Sequence, residues 1–199
     1  MSLLGRKAGA AILVVGCAVG AALADPLSVL LAAGEGGACY DRVYDKAHLD
    51  KNPGQTTRAI RISLRDDPET DSAILRVAVQ RKDVTLYIVG ECAFAEKANL
   101  DVQGQPLIAA FKGPSGLDCH AMTSDDGASA EEGGDFPIDL RDGKSVLLYL
   151  PDSVAAWSSF DRSEAAGWPE FGKDDQIFRL ARAEPSLCRE MEEKLPWLL

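Results

Sequence analysis

Histidine is the residue best suited to moving protons near neutral pH, and this chain carries two, His48 and His120. Only His48 has an acid where a catalytic pair needs one. Asp45 stands three residues before it in Tyr40-Asp41-Arg42-Val43-Tyr44-Asp45-Lys46-Ala47-His48, so that carboxylate could orient the imidazole as the general base of a hydrolase. The competing reading is a surface or capping histidine ahead of the Asn52-Pro53-Gly54 turn. No H-E-x-x-H, G-x-S-x-G or P-loop accompanies it, so the usual hydrolase and nucleotide-hydrolysing templates lack their residues, and no catalytic residue is assigned. His120 follows Cys119 on the outward side of its strand, and two distant histidines do not make a metal site. Asp125, Asp126, Glu131, Glu132 and Asp135 supply hard oxygens, but they miss the alternate positions of a calcium loop, and a solvated acidic loop is the simpler reading. Neither a metal nor a cofactor is expected.

Binding chemistry has better candidates. Arg61, Arg65 and Arg76 fall on the outward faces of two adjacent strands and stand out in an acidic chain. They suit an anionic ligand or partner, although cross-strand acids such as Glu91 would explain them equally. Trp157, Phe160, Trp168 and Phe171 sit in an irregular stretch, where such rings either line a pocket mouth or form a lid over the end of the domain. The candidate ligand-binding set is therefore His48, Arg61, Arg65, Arg76, Trp157 and Trp168.

These side chains have to be positioned by alternating strands. In residues 58–65, Ile60, Ile62 and Leu64 face one way, while Arg61, Ser63 and Arg65 face the other. Residues 74–80 repeat the pattern with Leu75, Val77 and Val79. Residues 84–94 place Val84, Leu86, Ile88, Cys92 and Phe94 together, and residues 117–122 point Leu117, Cys119 and Ala121 inward. Asp142-Gly143, between 136–141 and 144–150, suits a two-residue type I′ hairpin. A last strand at 176–183 precedes Pro185 and a terminal helix over 187–195. The sum is a mainly β fold: a seven- or eight-stranded antiparallel barrel or sandwich with a short C-terminal helix.

The amino terminus addresses the chain outward. Arg6 and Lys7, an apolar run over residues 8–24 and Ala22-x-Ala24 form a signal peptide over residues 1–24. A membrane anchor would need about 20 apolar residues, and Asp25-Pro26 ends this run first. Val14-Val15-Gly16-Cys17 also offers a loose lipidation motif, so acylation at Cys17 stays open. Residues 25–38 read as a flexible lead-in, and 39–199 as a single disulfide-stabilised β domain. Four cysteines follow the leader, and strand faces favour Cys92 with Cys119, leaving Cys39 with Cys188. The chain has 21 basic and 31 acidic residues. Cleavage would remove two of the former and none of the latter, taking the formal charge from −10 to −12. That balance excludes nucleic acid and anionic membrane surfaces as natural partners.

Two stretches, Tyr44-x-x-x-His48-Leu49-x-x-x-Pro53-Gly54-Gln55-Thr56 and Asp174-Asp175-x-Ile177-Phe178-Arg179-Leu180-x-Arg182, resemble a group of small exported bacterial proteins of unknown function. The resemblance implies a single secreted domain and no transferable activity, and it draws attention to Tyr44, His48, Gln55, Asp175 and Arg179. The expectation is an exported periplasmic or secreted, non-catalytic binding or interaction domain for a small ligand or an envelope protein, with no transmembrane anchor after processing. The alternatives are an envelope structural or assembly factor, or a hydrolase using His48.

Overall fold

Eight stretches of alternating side chains pair in chain order. A computed structural model describes residues 26–32, 37–67, 69–96, 115–123, 133–141, 143–161 and 165–195. Strands β1 (Gly37–Val43), β2 (Ala59–Asp66), β3 (Ser72–Gln80), β4 (Thr85–Glu96), β5 (Ser115–Ala121), β6 (Asp135–Asp139), β7 (Ser145–Tyr149) and β8 (Ile177–Ala183) each lie antiparallel to the next. β8 then returns to β1, with Arg182 opposite Tyr40, and closes the barrel. The choice between sandwich and barrel falls to the barrel, and the strand number is eight.

Because the side-chain period is two, closure sends one set of residues inside. Tyr40, Ile62, Leu64, Leu75, Val77, Ile88, Leu117, Phe136, Leu148 and Phe178 pack there as a continuous, fully buried apolar cluster. Cys92 and Cys119 lie directly opposite each other on β4 and β5, Cα atoms 4.0 Å apart, and their disulfide is part of this interior. At Gly90 an added Cβ would stand 2.2 Å from the His120 carbonyl oxygen, so β4 and β5 approach this closely only because the residue is glycine.

Both ends of the barrel are stoppered. Helix α1 (Pro26–Ala32) buries Leu27, Leu30 and Leu31 in the interior cluster at the end where β1 begins. Part of the lead-in over 25–38 is thus a short helix that the core holds by its leucines, and β1 starts at Gly37, two residues before Cys39. At the opposite end, Tyr44 and Phe171 pack onto the same cluster, and residues 154–157 run beside β4 beyond the last pair that β5 makes with it. There Tyr87 and Trp157 exchange both backbone hydrogen bonds at 2.8 Å.

The β6–β7 hairpin forms, but not with the symmetric two-residue turn. That turn would set 139 opposite 146, whereas Asp139 pairs with Leu147. Gly143 donates to the Leu140 carbonyl at 3.0 Å, and both Arg141 (φ 49°) and Gly143 (φ 70°) take left-handed backbone conformations, which glycine accepts without cost. Asp142 lies outside the described residues.

A second apolar cluster lies outside the barrel. Helix α3 (Ser186–Lys194) follows Pro185 and turns Cys188, Met191 and Leu195 onto Cys39 and Val89, with Trp157 and Met122 alongside. The Cys39–Cys188 disulfide, Cα atoms 5.9 Å apart, ties α3 to β1, so both expected pairings form. In the chain-entropy account the tether across 149 residues is worth about 5 kcal/mol and the one across 27 about 3.5 kcal/mol, both upper figures. Alanines at both Cys39 and Cys188 should lower the urea-unfolding free energy by about 3 to 5 kcal/mol. Hydrogen exchange should speed up in α3 well before the barrel strands. Equal acceleration in both would refute the picture of an outer layer held by this bond.

Candidate functional site

The outward residues of β2 and β3 gather the arginines as their alternation requires. Ser63 stands opposite Arg76, Arg61 opposite Ala78, and Arg65 opposite Ile74, so three guanidinium groups share one outer patch. What rests on that patch is α3. Glu192 accepts from Ser63 Oγ at 2.5 Å and from Arg65 at 2.7 Å, while Arg76 donates through Nε to the carbonyl of Leu195, where the helix ends. A cation at a helix carboxyl end is favoured by the unsatisfied carbonyls there. Arg61 donates to Asp41 Oδ1 and to the Leu187 carbonyl, each at 2.9 Å. Burial alone would raise the pKa of Glu192, but the Arg65 and Ser63 hydrogen bonds outweigh it and hold the carboxyl below its usual value. Asp41 and Glu192 hydrogen-bond the stripe, and Glu190 is drawn electrostatically to Arg61. Glu91 stands opposite Ile74 and His120 in the ladder.

Between α3 and residues 158–161 a strip of the outer face stays uncovered. It forms a groove of about 290 Å³ bordered by Asp41, Arg61, Ala78, Tyr87, Phe160 and Glu190. The Tyr87 and Phe160 rings pack at 4.2 Å between centroids, tilted by 30°. Lys194 Nζ sits 2.8 Å from Glu190 Oε1 and 5.0 Å from the Phe160 ring. Partial burial of Tyr87 raises its phenol pKa, so the hydroxyl stays protonated near neutrality.

The aromatic residues expected to act together divide their roles. Phe171 plugs the barrel end, with the Arg81 guanidinium 4.5 Å above its ring. Trp157 is buried in the outer cluster and Phe160 packs on its edge. Trp168 is 52% exposed and, with Trp157, borders a separate depression of about 320 Å³ beside Leu86 and Pro169.

His48 lies on helix α2 (Lys46–Lys51), and the Asp45–imidazole pair that a general base would use does not form. Asp45 is the N-cap, its carboxylate accepting the backbone N–H of His48 at 2.7 Å, so it does not orient the ring. The imidazole instead packs on Tyr44, centroids 4.7 Å apart, and Nε2 meets Gln55 Oε1 at 2.9 Å. Because Gln55 Nε2 donates to the Thr57 carbonyl, Oε1 is left as acceptor and His48 Nε2 is the donor. Beside this chain, buried Asp175 accepts from Thr56 N (2.8 Å), Thr56 Oγ1 (2.6 Å) and Thr57 N (2.9 Å). Tyr44, His48, Gln55 and Asp175, drawn from two distant sequence patterns, thus converge at one barrel end as a structural clasp. Arg179 stands apart, exposed on β8.

His120 Nδ1 pairs with Asp135 Oδ1 at 2.7 Å on the surface. Asp125, Asp126, Glu131 and Glu132 lie outside the described residues, and among the described residues no group of three or more His, Cys, Asp or Glu is placed to hold a metal.

Sequence reasoning missed Tyr87, Glu190 and Lys194 as neighbours. The signal was there in part. Pairing Cys188 with Cys39 lays α3 along the sheet, and Glu190 and Lys194, four residues apart, then share one edge of that helix. Known protein families, curated proteins and solved structures include no match to this chain.

For Asp175, burial would raise the pKa, but hydrogen bonds from Thr56 and Thr57 more than reverse this and leave it lowered from 3.8. A depressed folded-state pKa stabilises the fold fully above the unfolded value and is lost as pH falls through the folded one. Asp175→Asn should therefore cost about 2 kcal/mol at neutral pH, with the gap to wild type in urea-unfolding midpoints closing as the pH falls below 3.8. A gap that stays constant with pH would show that the carboxylate charge is not what matters.

Proposed function

We propose that this protein is an exported, non-catalytic binding or interaction domain that works in the periplasm or outside the cell, and that it meets its ligand or partner protein on the outside of the barrel. The observation that carries this reading is the filled interior. Fully buried Tyr40, Phe136, Phe178 and their aliphatic neighbours occupy the space a barrel ligand would need, and α1 and Phe171 stop the ends. Binding surface is then left to the outer face, where α3 and residues 158–161 border the groove beside Tyr87.

Export is supported by the basic-then-apolar leader ending in Ala22-Leu23-Ala24 and by two disulfides, which persist in oxidising compartments. No helix among the described residues is long and apolar enough to cross a membrane. The acidic balance of the chain sets nucleic acid aside as a partner. Against the hydrolase alternative stands the engagement of the His48 ring by Tyr44 and Gln55, with Asp45 spent on the helix cap.

Native mass spectrometry of the protein taken from the cell envelope tests the proposal. The expected species has the mass of residues 25–199 less four hydrogens and carries a bound molecule or protein that leaves on denaturation. An unprocessed or reduced mass would sink the export reading, and a bare monomer in every preparation would sink the binding reading. His48→Ala should lower the melting temperature by about 2 to 4 °C, as loss of about 1 kcal/mol does in a domain of this size. A hydrolytic activity abolished by that substitution without a change in melting temperature would restore the enzyme reading.

A further inference from the structure

The groove beside α3 sets aromatic faces and carboxylates side by side. Aromatic faces are negative, and Tyr87 and Phe160 form one wall. Glu190 and Asp41 add carboxylates at the rim. Arg61, the cation among the groove's lining residues, is already turned to Asp41 and to the Leu187 carbonyl. The remaining lining is mixed: Ala59, Ile60, Ala78 and Met191 offer apolar contact to a methylene chain, and Gln80 and Thr85 add polar side chains.

An occupant of this kind is already present in the chain itself. Lys194 lies one helical turn beyond Glu190 and places its ammonium against both the Glu190 carboxylate and the Phe160 ring, at 2.8 and 5.0 Å. Resting on the reading that partners meet the outside of the barrel, we propose that this groove binds an alkylammonium cation, which enters over Phe160 and takes Glu190 from Lys194. An anion would have to part Asp41 from Arg61 or Glu190 from Lys194, whereas an ammonium replaces Lys194 like for like, and a plain hydrocarbon would strip water from the carboxylates without replacing it. The volume of about 290 Å³ holds a side-chain-sized amine rather than a large cofactor. A net charge of −10 over the whole chain draws cations toward the surface.

Calorimetric titration of the processed, disulfide-intact protein at low ionic strength, with cadaverine, Nα-acetyl-lysine amide and pentanoate in turn, tests this. Both amines should bind saturably and the carboxylate should not. Saturation by cadaverine alone identifies a free amine as the ligand, whereas binding of the blocked lysine identifies a partner's side chain. Phe160→Ala should weaken binding about tenfold, the scale of a partly desolvated cation–π contact. Glu190→Gln should act in the same direction, and Lys194→Met should tighten binding by removing the internal competitor. Glu190 and Lys194 are exposed, so these two variants report on the groove even if Phe160→Ala disturbs the fold. Failure of both amines to bind saturably, or affinities unchanged in Glu190→Gln and Lys194→Met, overturns the assignment. If the amines fail while a bound molecule is still seen in native mass spectra, the groove assignment falls and the outside-binding reading stands.

Discussion

Pairing of β8 with β1 is the contact on which the rest of the molecule depends. An open eight-stranded meander would expose two rows of unpaired backbone donors and acceptors, one at each edge, and would leave its apolar face uncovered. The three residue pairs from Cys39–Ala183 to Asp41–Ala181 remove both edges and make the inward face a closed volume. The same pairs bring Ala183, and hence the chain leading into α3, alongside Cys39. Closure therefore determines that α3 lies on the outside, against β1, β2 and β3, where the disulfide holds it.

That outer layer is built from mixed materials. Met191 and Leu195 supply burial, but the surface beneath them carries Arg61, Ser63, Arg65 and Arg76, which apolar contact alone would strand without water. Glu192 and the carbonyls of Leu187 and Leu195 answer those groups one by one, so α3 is seated by matched polar partners as well as by apolar area. A helix with other residues facing the sheet would leave the arginines uncompensated, which makes this seat selective for its own helix.

Strands β2 to β5, β8 and the terminal helix were legible because their period-two and helical patterns stand out in the sequence, although on β3 the outer face is buried as well. β1 was not, since its buried residues Gly37 to Tyr40 do not alternate with exposed ones and Arg42 and Val43 turn to the surface, a pattern with little contrast in polarity. α2 was hidden for a related reason: it buries no residue and is held by its Asp45 cap rather than by an apolar stripe. The arginine patch could be read from strand alternation, but its occupant could not, because Glu192 lies 127 residues from Arg65 along the chain. The groove shows the same limit. Tyr87, Phe160 and Glu190 belong to a strand, an irregular segment and a helix, and only closure brings them to one place.

The two disulfides are nested, one loop lying wholly within the other. A ribosome or a translocation channel delivers cysteines in the order 39, 92, 119, 188, and an oxidant that joins each thiol to the next available one would link Cys39 to Cys92. The native arrangement therefore requires Cys39 to stay unpaired until the last tenth of the chain has emerged, or an early wrong bond to be exchanged later. Cys39 has no native partner until Cys188 has emerged, so any bond it forms earlier is non-native and reaches the native pairing only by thiol–disulfide exchange.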